Sequence, residues 1–402
     1  MTKHSGSNLA HRFEQFRSER QKLGSPRGEG CAVHMLQTEI MEQSDKGLAE
    51  ADLHLCNNYR HLLIALGSIA AKARPATIIY LEDDTTLPAD LRLRLSKACP
   101  QARFLFTRDQ DQIRAFARLP SFLPDILRRN VTIGPHFGLQ RPQNWQPPFL
   151  VGQRFATGYL YHAGFFLSKA VAGLCNHVVL RESGLNNYVS LSVPWPKALI
   201  RLVLGQRPFR QTWGEEAWID AIEVTDPEKL PASVRAKARK LTSAEILDPL
   251  PAPISRSIAS AFLGDQRLVE LPSRAALLLT QPLSTIKICS LAEQDAVYSG
   301  IVARLHGAGF KVYVKPHPLD QMTKLRDVHF LPKTFPIEAL PYIIDQKFDV
   351  ALALCSAALT SGTRPIARQS AQLLPQELFN AQGFPHWPRI IEKALNSVTG
   401  PI

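Results

Sequence analysis

The chain has 402 residues, 45% of them hydrophobic and 20% charged, the balance of a globular protein long enough for two domains or three small ones. Lys and Arg number 47 against 35 Asp and Glu, a formal charge of +12, which suits nucleic acid, an anionic membrane, or a phosphorylated or polyanionic substrate. No run of about 18 apolar residues predicts a transmembrane helix. Met1 to Gly30 lack the apolar core of a secretory signal, and Cys31, Cys56, Cys99, Cys175, Cys289 and Cys355 have neither the spacing of a zinc site nor that of a disulfide scaffold, in keeping with a reducing cytoplasm.

Residues 1–48 carry Gly and Ser breakers and little apolar periodicity, and are expected to form a poorly ordered tail. The folded part is expected to start near Ala49. Asp52 to Asn58 reads as a short strand with a polar end, followed by an apolar helix from Tyr59 to Ala71 with Asn57 or Asn58 as its N-cap. Thr77 to Leu81 is a strand ending in Glu82-Asp83-Asp84. Phe104 to Phe106 and Val178 to Leu180 are further strands, and this alternation predicts an α/β domain with a mainly parallel sheet.

Residues 190–215 mix Trp195, Trp213, Lys197, Arg201, Arg207 and Arg210, with no acid before Glu215. Two readings stand: a surface that meets an anionic acceptor or a membrane, or an ordinary amphipathic helix and loop. Residues 226–253, rich in Pro, Lys and Arg, read as the passage between domains. The expected division is therefore 1–48 tail, 49–250 first domain and 251–402 second domain.

A second α/β pattern follows. Ala275 to Gln281 is a buried strand stopped by Pro282, Asp295 to Gly307 a helix, and Phe310 to Val314 the next strand. Val328 to Leu331, a short helix from Ile337 to Ile344, and a buried strand from Phe348 to Ser356 complete it. The strand Lys311-Val-Tyr-Val-Lys315 runs into Pro316-His317-Pro318. The two prolines fix φ on either side of the imidazole and bias Lys315 and His317 toward extended backbone. His317 is thus aimed from a strand end, where open α/β sheets bind ligands, and can serve as a phosphate partner or general acid. The small-residue turn at Cys355-Ser356-Ala357-Ala358 is expected to begin a helix whose N–H groups face an anion, with the Ser356 hydroxyl as one more donor.

The order Glu182-Ser183-Gly184, then His317-Pro318, then Ser356-Ala357-Ala358 resembles that of bacterial sialyltransferases of the capsular polysialyltransferase and lipooligosaccharide sialyltransferase type. Leu278-Leu-Leu-Thr-Gln-Pro-Leu283, Phe335-Pro-Ile-Glu-Ala-Leu340 and the Leu53–Leu63 segment carry the same likeness, over roughly residues 50–360. The resemblance implies a GT-B-like fold, two Rossmann-like domains facing across a cleft. It implies inverting, metal-independent transfer of sialic acid, or a related nonulosonic acid, from a CMP-activated donor to a glycan or glycolipid acceptor at the cell surface, with no further cofactor. Carried over to this chain, His317 with Pro318 would hold and protonate the departing phosphate, Ser356 and Ala357 would bind it, and Glu338 would bind the ribose hydroxyls. For Glu338 an equal reading is a first-turn acid favoured by the helix dipole.

The chain departs from that family at one position. The family has two acids before the glycine, the second usually the base, whereas Ser183 stands there in this sequence. Three readings follow: Glu182 serves as base, Asp83 or Asp84 does, or the protein binds its ligand without turnover. For Glu182 the structural reading is a loop carboxylate paired with Arg181; for Asp83 and Asp84 it is a solvated turn capping the next helix. A CDP-glycerol-type phosphotransferase on the same scaffold is the rival enzyme; it would need a second histidine in the first domain, for which His162 and His177 are the candidates. His54 and His61 read as structural histidines. The basic residues are spread along the chain without a nucleic-acid recognition motif, so nucleic acid is not an expected partner. A peripheral contact with the inner membrane is expected from the charge and the 190–215 stretch.

Overall fold

The computed structural model describes residues 51–117, 142–203, 208–265, 270–321, 325–359 and 364–399; the 1–48 tail lies outside them. Two parallel sheets organise these residues. The first has the order β3-β2-β1-β4-β5-β8-β9, built from β1 (Asp52–Cys56), β2 (Ala76–Leu81), β3 (Ala102–Thr107), β4 (Phe155–Leu160), β5 (Cys175–Arg181), β8 (Ala221–Val224) and β9 (Ala238–Lys240). The second has the order β12-β11-β10-β13-β14, from β10 (Ala275–Leu279), β11 (Lys311–Lys315), β12 (Val328–Phe330), β13 (Phe348–Ala353) and β14 (Ala367–Gln372). A two-stranded antiparallel hairpin, β6 (Leu191–Ser192) with β7 (Arg210–Gln211), stands outside both. Each sheet thus reverses its order beside its first strand, the doubly wound pattern in which ligands bind at the carboxyl ends of the strands flanking the reversal. The chain is α/β with two Rossmann-like domains, the GT-B-like arrangement expected.

The helices are α1 (Tyr59–Lys72), α2 (Ala89–Ala98), α3 (Asp109–Ala117), α4 (Phe166–Ala172), α5 (Trp195–Val203), α6 (Ser243–Leu247), α7 (Ala252–Leu263), α8 (Leu291–Gly307) and α9 (Trp387–Thr399). Asn58 caps α1 by accepting the His61 N–H at 2.8 Å, which fixes the direction in which the chain leaves β1. The α8 helix starts one turn before the expected Asp295, because Ser290 and Glu293 close a reciprocal capping box.

Buried side chains cover both faces of each sheet. One core lies on the outer face of the first sheet and one on the outer face of the second. A third is shared: Leu62 and Leu66 of α1 and Leu91 and Leu95 of α2 join Phe262 of α7 and Phe335, Leu340 and Phe348 of the second half in one apolar cluster. The two halves are therefore packed together by hydrophobic burial, which acts without direction and scales with area. Within the first half, α1 lies close to α6 at Gly67, where a Cβ would meet the Leu247 side chain at 2.5 Å.

Two expectations about the passage between domains change. Within 226–253, residues 238–240 form β9 on the edge of the first sheet, pairing with β8. Helix α7, just past the expected boundary at 250, packs on α1 and α2 of the first half, and Arg94 Nε donates to its Ala261 carbonyl at 2.7 Å. Helix α7 also packs on Ile337–Tyr342 of the second half, so it bridges the two halves. The Ile337–Ile344 segment is a 3₁₀ helix over Ile337–Tyr342, with Pro341 inside it as a residue that cannot donate to a longer α-helical ladder.

Candidate active site

On the second sheet, β10 sits between β11 and β13, so the chain leaving these three strands emerges side by side. Thr280 and Gln281, which follow β10, tie the other two together. The His317 N–H donates to Thr280 Oγ1 at 3.2 Å. The Thr280 hydroxyl in turn donates to Asp320 Oδ2 at 2.5 Å, and Gln294 Nε2 of α8 donates to Asp320 Oδ1 at 2.7 Å. On the other side, the Gln281 side chain holds the Cys355 backbone from both ends: its amide donates to the Cys355 carbonyl, and its Oε1 accepts the Cys355 N–H at 3.0 Å. Thr280 and Gln281 thus position the His317 loop and the Ser356 turn together.

His317 is part-buried, and its Nδ1 accepts the Leu319 N–H at 3.1 Å. In the neutral ring the proton then resides on Nε2. Burial, with the Lys315 ammonium nearby, pushes the imidazole down to about 4. At neutral pH it is a hydrogen-bond donor through Nε2–H; an anion bound against it would favour the charged form. Lys315 is itself buried, with Nζ donating to the Pro316 carbonyl at 2.5 Å; burial lowers its ammonium to about 7, against the raising effect of Glu338. Lys333 Nζ donates to the Asp320 carbonyl at 2.7 Å. The loop after β11 is thus lined with nitrogen donors.

The expected helix after Ser356 is a 3₁₀ turn, Ala357–Leu359, among the described residues; residues 360–363 lie outside them. The Ser356 hydroxyl oxygen accepts the Ala358 N–H at 3.3 Å, using the side chain to satisfy the turn itself. Its O–H proton remains a donor, so the serine offers one hydrogen bond outward rather than a row of helix amides.

The first sheet presents carboxylates at the corresponding edge. Glu182, directly after β5, is buried. Its Oε2 accepts from the Tyr188 hydroxyl at 2.6 Å and from the Thr225 N–H at 2.7 Å. Burial and that same carboxylate push the Tyr188 phenol up, keeping it a donor. The expected pairing of Glu182 with Arg181 does not form, because neighbouring strand residues point to opposite faces. Arg181 turns instead to Glu223, at 2.8 Å, and over the Tyr159 ring. The partner of Glu182 is Arg60, at the start of α1. Arg60 Nη1 donates to the Glu182 carbonyl at 2.9 Å, and its Nη2 lies 3.8 Å from Glu182 Oε1. Arg60 also reaches the second half, with Nε 3.2 Å from Glu338 Oε1. One guanidinium thus joins the two acids that the sequence places 156 positions apart.

Ser183 and Gly184 form a tight turn, the Ser183 N–H donating to Asn187 Oδ1 at 2.9 Å. Gly184 has φ +137°, a conformation that only glycine adopts without strain, which explains the glycine after this motif.

Asp83 and Asp84 follow β2. Asp83 Oδ2 accepts the Asp109 N–H at 2.7 Å, so it caps α3 rather than the helix that follows it in sequence. Asp109 in turn caps α4 through the Phe166 and Leu167 N–H groups. Glu82 pairs with Arg92 at 2.5 Å. At this edge Asp83 and Asp109 thus serve as helix caps.

His61 is fully buried and stacks on Tyr161 at 4.1 Å between ring centres, and His54 stacks on Tyr159 at 4.7 Å, which makes them core histidines. His177 lies exposed on the amino-terminal half of β5, 3.1 Å from Asp220. His162, just past β4, packs on Trp213 at 4.4 Å, and its Nδ1 accepts the Gly164 N–H at 3.0 Å. Sequence reasoning missed Arg60, Thr280 and Gln281 as site builders. Thr280 and Gln281 sat inside a phrase that carried the family likeness, and their place after a buried strand and before Pro282 was the available signal.

The family model for alpha-2,8-polysialyltransferase (POLYST) matches residues 163–363, which takes in Glu182, His317, Glu338 and Ser356. No curated protein matches the chain. Among solved structures, the UDP-GlcNAc 2-epimerase of Methanocaldococcus jannaschii in complex with UDP-GlcNAc and UDP aligns with 86% of this chain and 93% of its own, at 9% identity and a TM-score of 0.43. The UDP-GlcNAc 2-epimerase of Neisseria meningitidis bound to UDP-GlcNAc aligns with 86% and 94%, at 8% identity and a TM-score of 0.41. The apo structure of OtsA aligns with 87% and 97%, at 10% identity and a TM-score of 0.33.

Proposed function

The chain belongs to the alpha-2,8-polysialyltransferase family, a family of sialyltransferases, and from that premise we propose that it moves sialic acid, or a related nonulosonic acid, from a CMP-activated donor to a surface-glycan acceptor, with inversion and without a metal. The observation that carries the reading is the joined edge of the second sheet, where Thr280 and Gln281 hold the His317 loop and the Ser356 turn side by side. In this reading the CMP phosphate lies against His317 Nε2–H and the Ser356 hydroxyl. As the glycosidic bond to phosphate breaks, negative charge grows on the leaving oxygen, and His317 donates its hydrogen bond or proton there. Glu338, held by Arg60, takes the ribose side.

Glu182 is the proposed base, through Oε1. Its other oxygen is held by Tyr188 and Thr225, which orients the carboxylate, whereas Oε1 has only the longer approach of Arg60. A small shift of Arg60 toward Glu338 would open Oε1 to an acceptor hydroxyl. Asp83 is the weaker alternative, because it is committed to capping α3.

CMP release from CMP-sialic acid in the presence of a sialylated or lactosyl acceptor tests the reading. Turnover of CDP-glycerol alone would sink it; of the two histidines that rival would draw on, His177 lies exposed beside Asp220 and His162 packs on Trp213. Glu182→Gln tests the base: a fall of about 10²–10⁴-fold in kcat at unchanged CMP affinity supports it, and a near wild-type rate moves the role elsewhere. A second reading is favoured by one observation, the two hydrogen bonds and the ion pair that engage the Glu182 carboxylate beside Ser183. It is a protein that binds CMP-activated sugar without turnover, and stoichiometric CMP binding with no release of sugar would identify it.

A further inference from the structure

We propose that α5 and the β6–β7 hairpin form a docking surface for an anionic lipid bilayer. Trp195, Leu199 and Leu202 fall at i, i+4 and i+7, one face of α5. That face is turned out of the protein: Trp195 is 67%, Leu199 48% and Leu202 59% exposed, while Ala198 beside them is buried. Phe209, on the returning strand side of the hairpin, is 65% exposed. Four large apolar side chains left in water on one short segment mark an interaction surface.

The charge of the segment selects the occupant. From Ser183 to Gly214 the sequence contains Lys197, Arg201, Arg207 and Arg210 and no Asp or Glu. A second copy of a chain with net charge +12 would be repelled from such a surface, whereas anionic headgroups are attracted to it. Exposed Trp with neighbouring Leu and Phe, in a segment whose only charges are basic, is the composition of a helix that lies in the bilayer interface. Among the described residues no helix is long and apolar enough to cross a membrane, so the contact would be peripheral.

The surface is firmly mounted. The Val193 N–H donates to the Phe209 carbonyl at 3.0 Å, and the Ser190 and Thr212 hydroxyls are bonded at 2.8 Å. The segment leaves the first sheet just after Glu182 and returns through Trp213 against His162. Docking would therefore hold the carboxyl edge of the first sheet near the bilayer. The value of that placement for a lipid-linked acceptor rests on the proposed function; the docking itself does not.

Co-sedimentation of the full chain with phosphatidylcholine vesicles, alone or with about a third phosphatidylglycerol, tests it. We expect binding to the anionic vesicles that weakens at high salt. Replacing Trp195, Leu199, Leu202 and Phe209 together by Ser is expected to weaken it by at least about tenfold, with an unchanged melting midpoint because all four are exposed. His317→Ala should bind vesicles as the wild type does, so loss of transfer and loss of docking are read separately. Wild-type protein that ignores anionic vesicles, or a four-Ser variant that binds them equally well, would overturn the proposal. So would a wild type that dimerises without lipid through a contact the variant lacks, since a second copy would then cover the face.

Discussion

The carboxyl edges of the two sheets have the same topology and opposite character. The edge of the second sheet is built from neutral and basic donors: the His317 imidazole, the Lys315 and Lys333 ammonium groups and the Ser356 hydroxyl, set in place by the Thr280–Asp320–Gln294 and Gln281–Cys355 networks. The edge of the first sheet is built from acids already engaged by backbone amides, a phenol or cations: Glu82, Asp83, Asp109 and Glu182. A fold that supports both must draw its chemistry from side chains at strand ends, not from the sheets themselves. In the proposed reading the anion lies at the second edge, and Glu182 Oε1, approached only by Arg60 at 3.8 Å, serves as base at the first. Arg60 is the point where the two edges meet.

The sharpest way to break this comparison is His317→Ala. Removing the donor from the second edge is expected to lower transfer at least about 10²-fold, measured as CMP release with acceptor present; retained activity would take His317 out of the mechanism. Next in size is Arg60→Met, which leaves Glu182 and Glu338 without their shared cation. Stripping one partner from a buried pair costs about 3–5 kcal/mol, and because Arg60 keeps some exposure we expect about 2 kcal/mol in a urea melt, with the double variant carrying Glu338→Gln recovering part of it. No loss of stability would mean that the edges are not coupled through this residue. Gln281→Leu should cost about 1–3 kcal/mol, the penalty for orphaning the buried Cys355 backbone groups, and should weaken CMP binding while sparing vesicle binding.

The smallest effect is on pH dependence. His317 is held at about 4 in the folded chain by burial and Lys315, below its ordinary value near 6.5. Between these values the unfolded chain binds the extra proton, so stability falls as pH falls from about 6.5 toward 4. We expect wild type to lose about 1–2 kcal/mol more than His317→Gln across that window, solvent screening at this part-exposed ring limiting the size. Equal losses would show that the ring is not buried neutral.

How much of this was legible in the chain depended on burial. Strands β2, β10 and β13 announced themselves as apolar runs because both of their faces are covered. The strand β14, Ala-Arg-Gln-Ser-Ala-Gln, escaped notice because it is a half-exposed edge, and β4 because Thr157 and Gly158 interrupt its apolar pattern. Domain packing was less visible still: nothing local in Ala252–Leu263 says that the helix belongs against α1 and α2, since that choice is made by apolar surface on helices far away in sequence.

The sequence by itself determined the proline-bracketed histidine, the glycine after Glu182-Ser183, the alternating α/β order and the family likeness, because each is written in a few adjacent residues whose backbone limits are local. Tertiary structure alone decided that Glu182 answers to Arg60, Tyr188 and Thr225 rather than to Arg181, and that Thr280 and Gln281 bind the His317 loop to the Ser356 turn. It also decided that Ser356 serves a 3₁₀ turn. These are choices among hydrogen-bond partners, and a buried polar group takes whichever partner the packed sheets bring within reach.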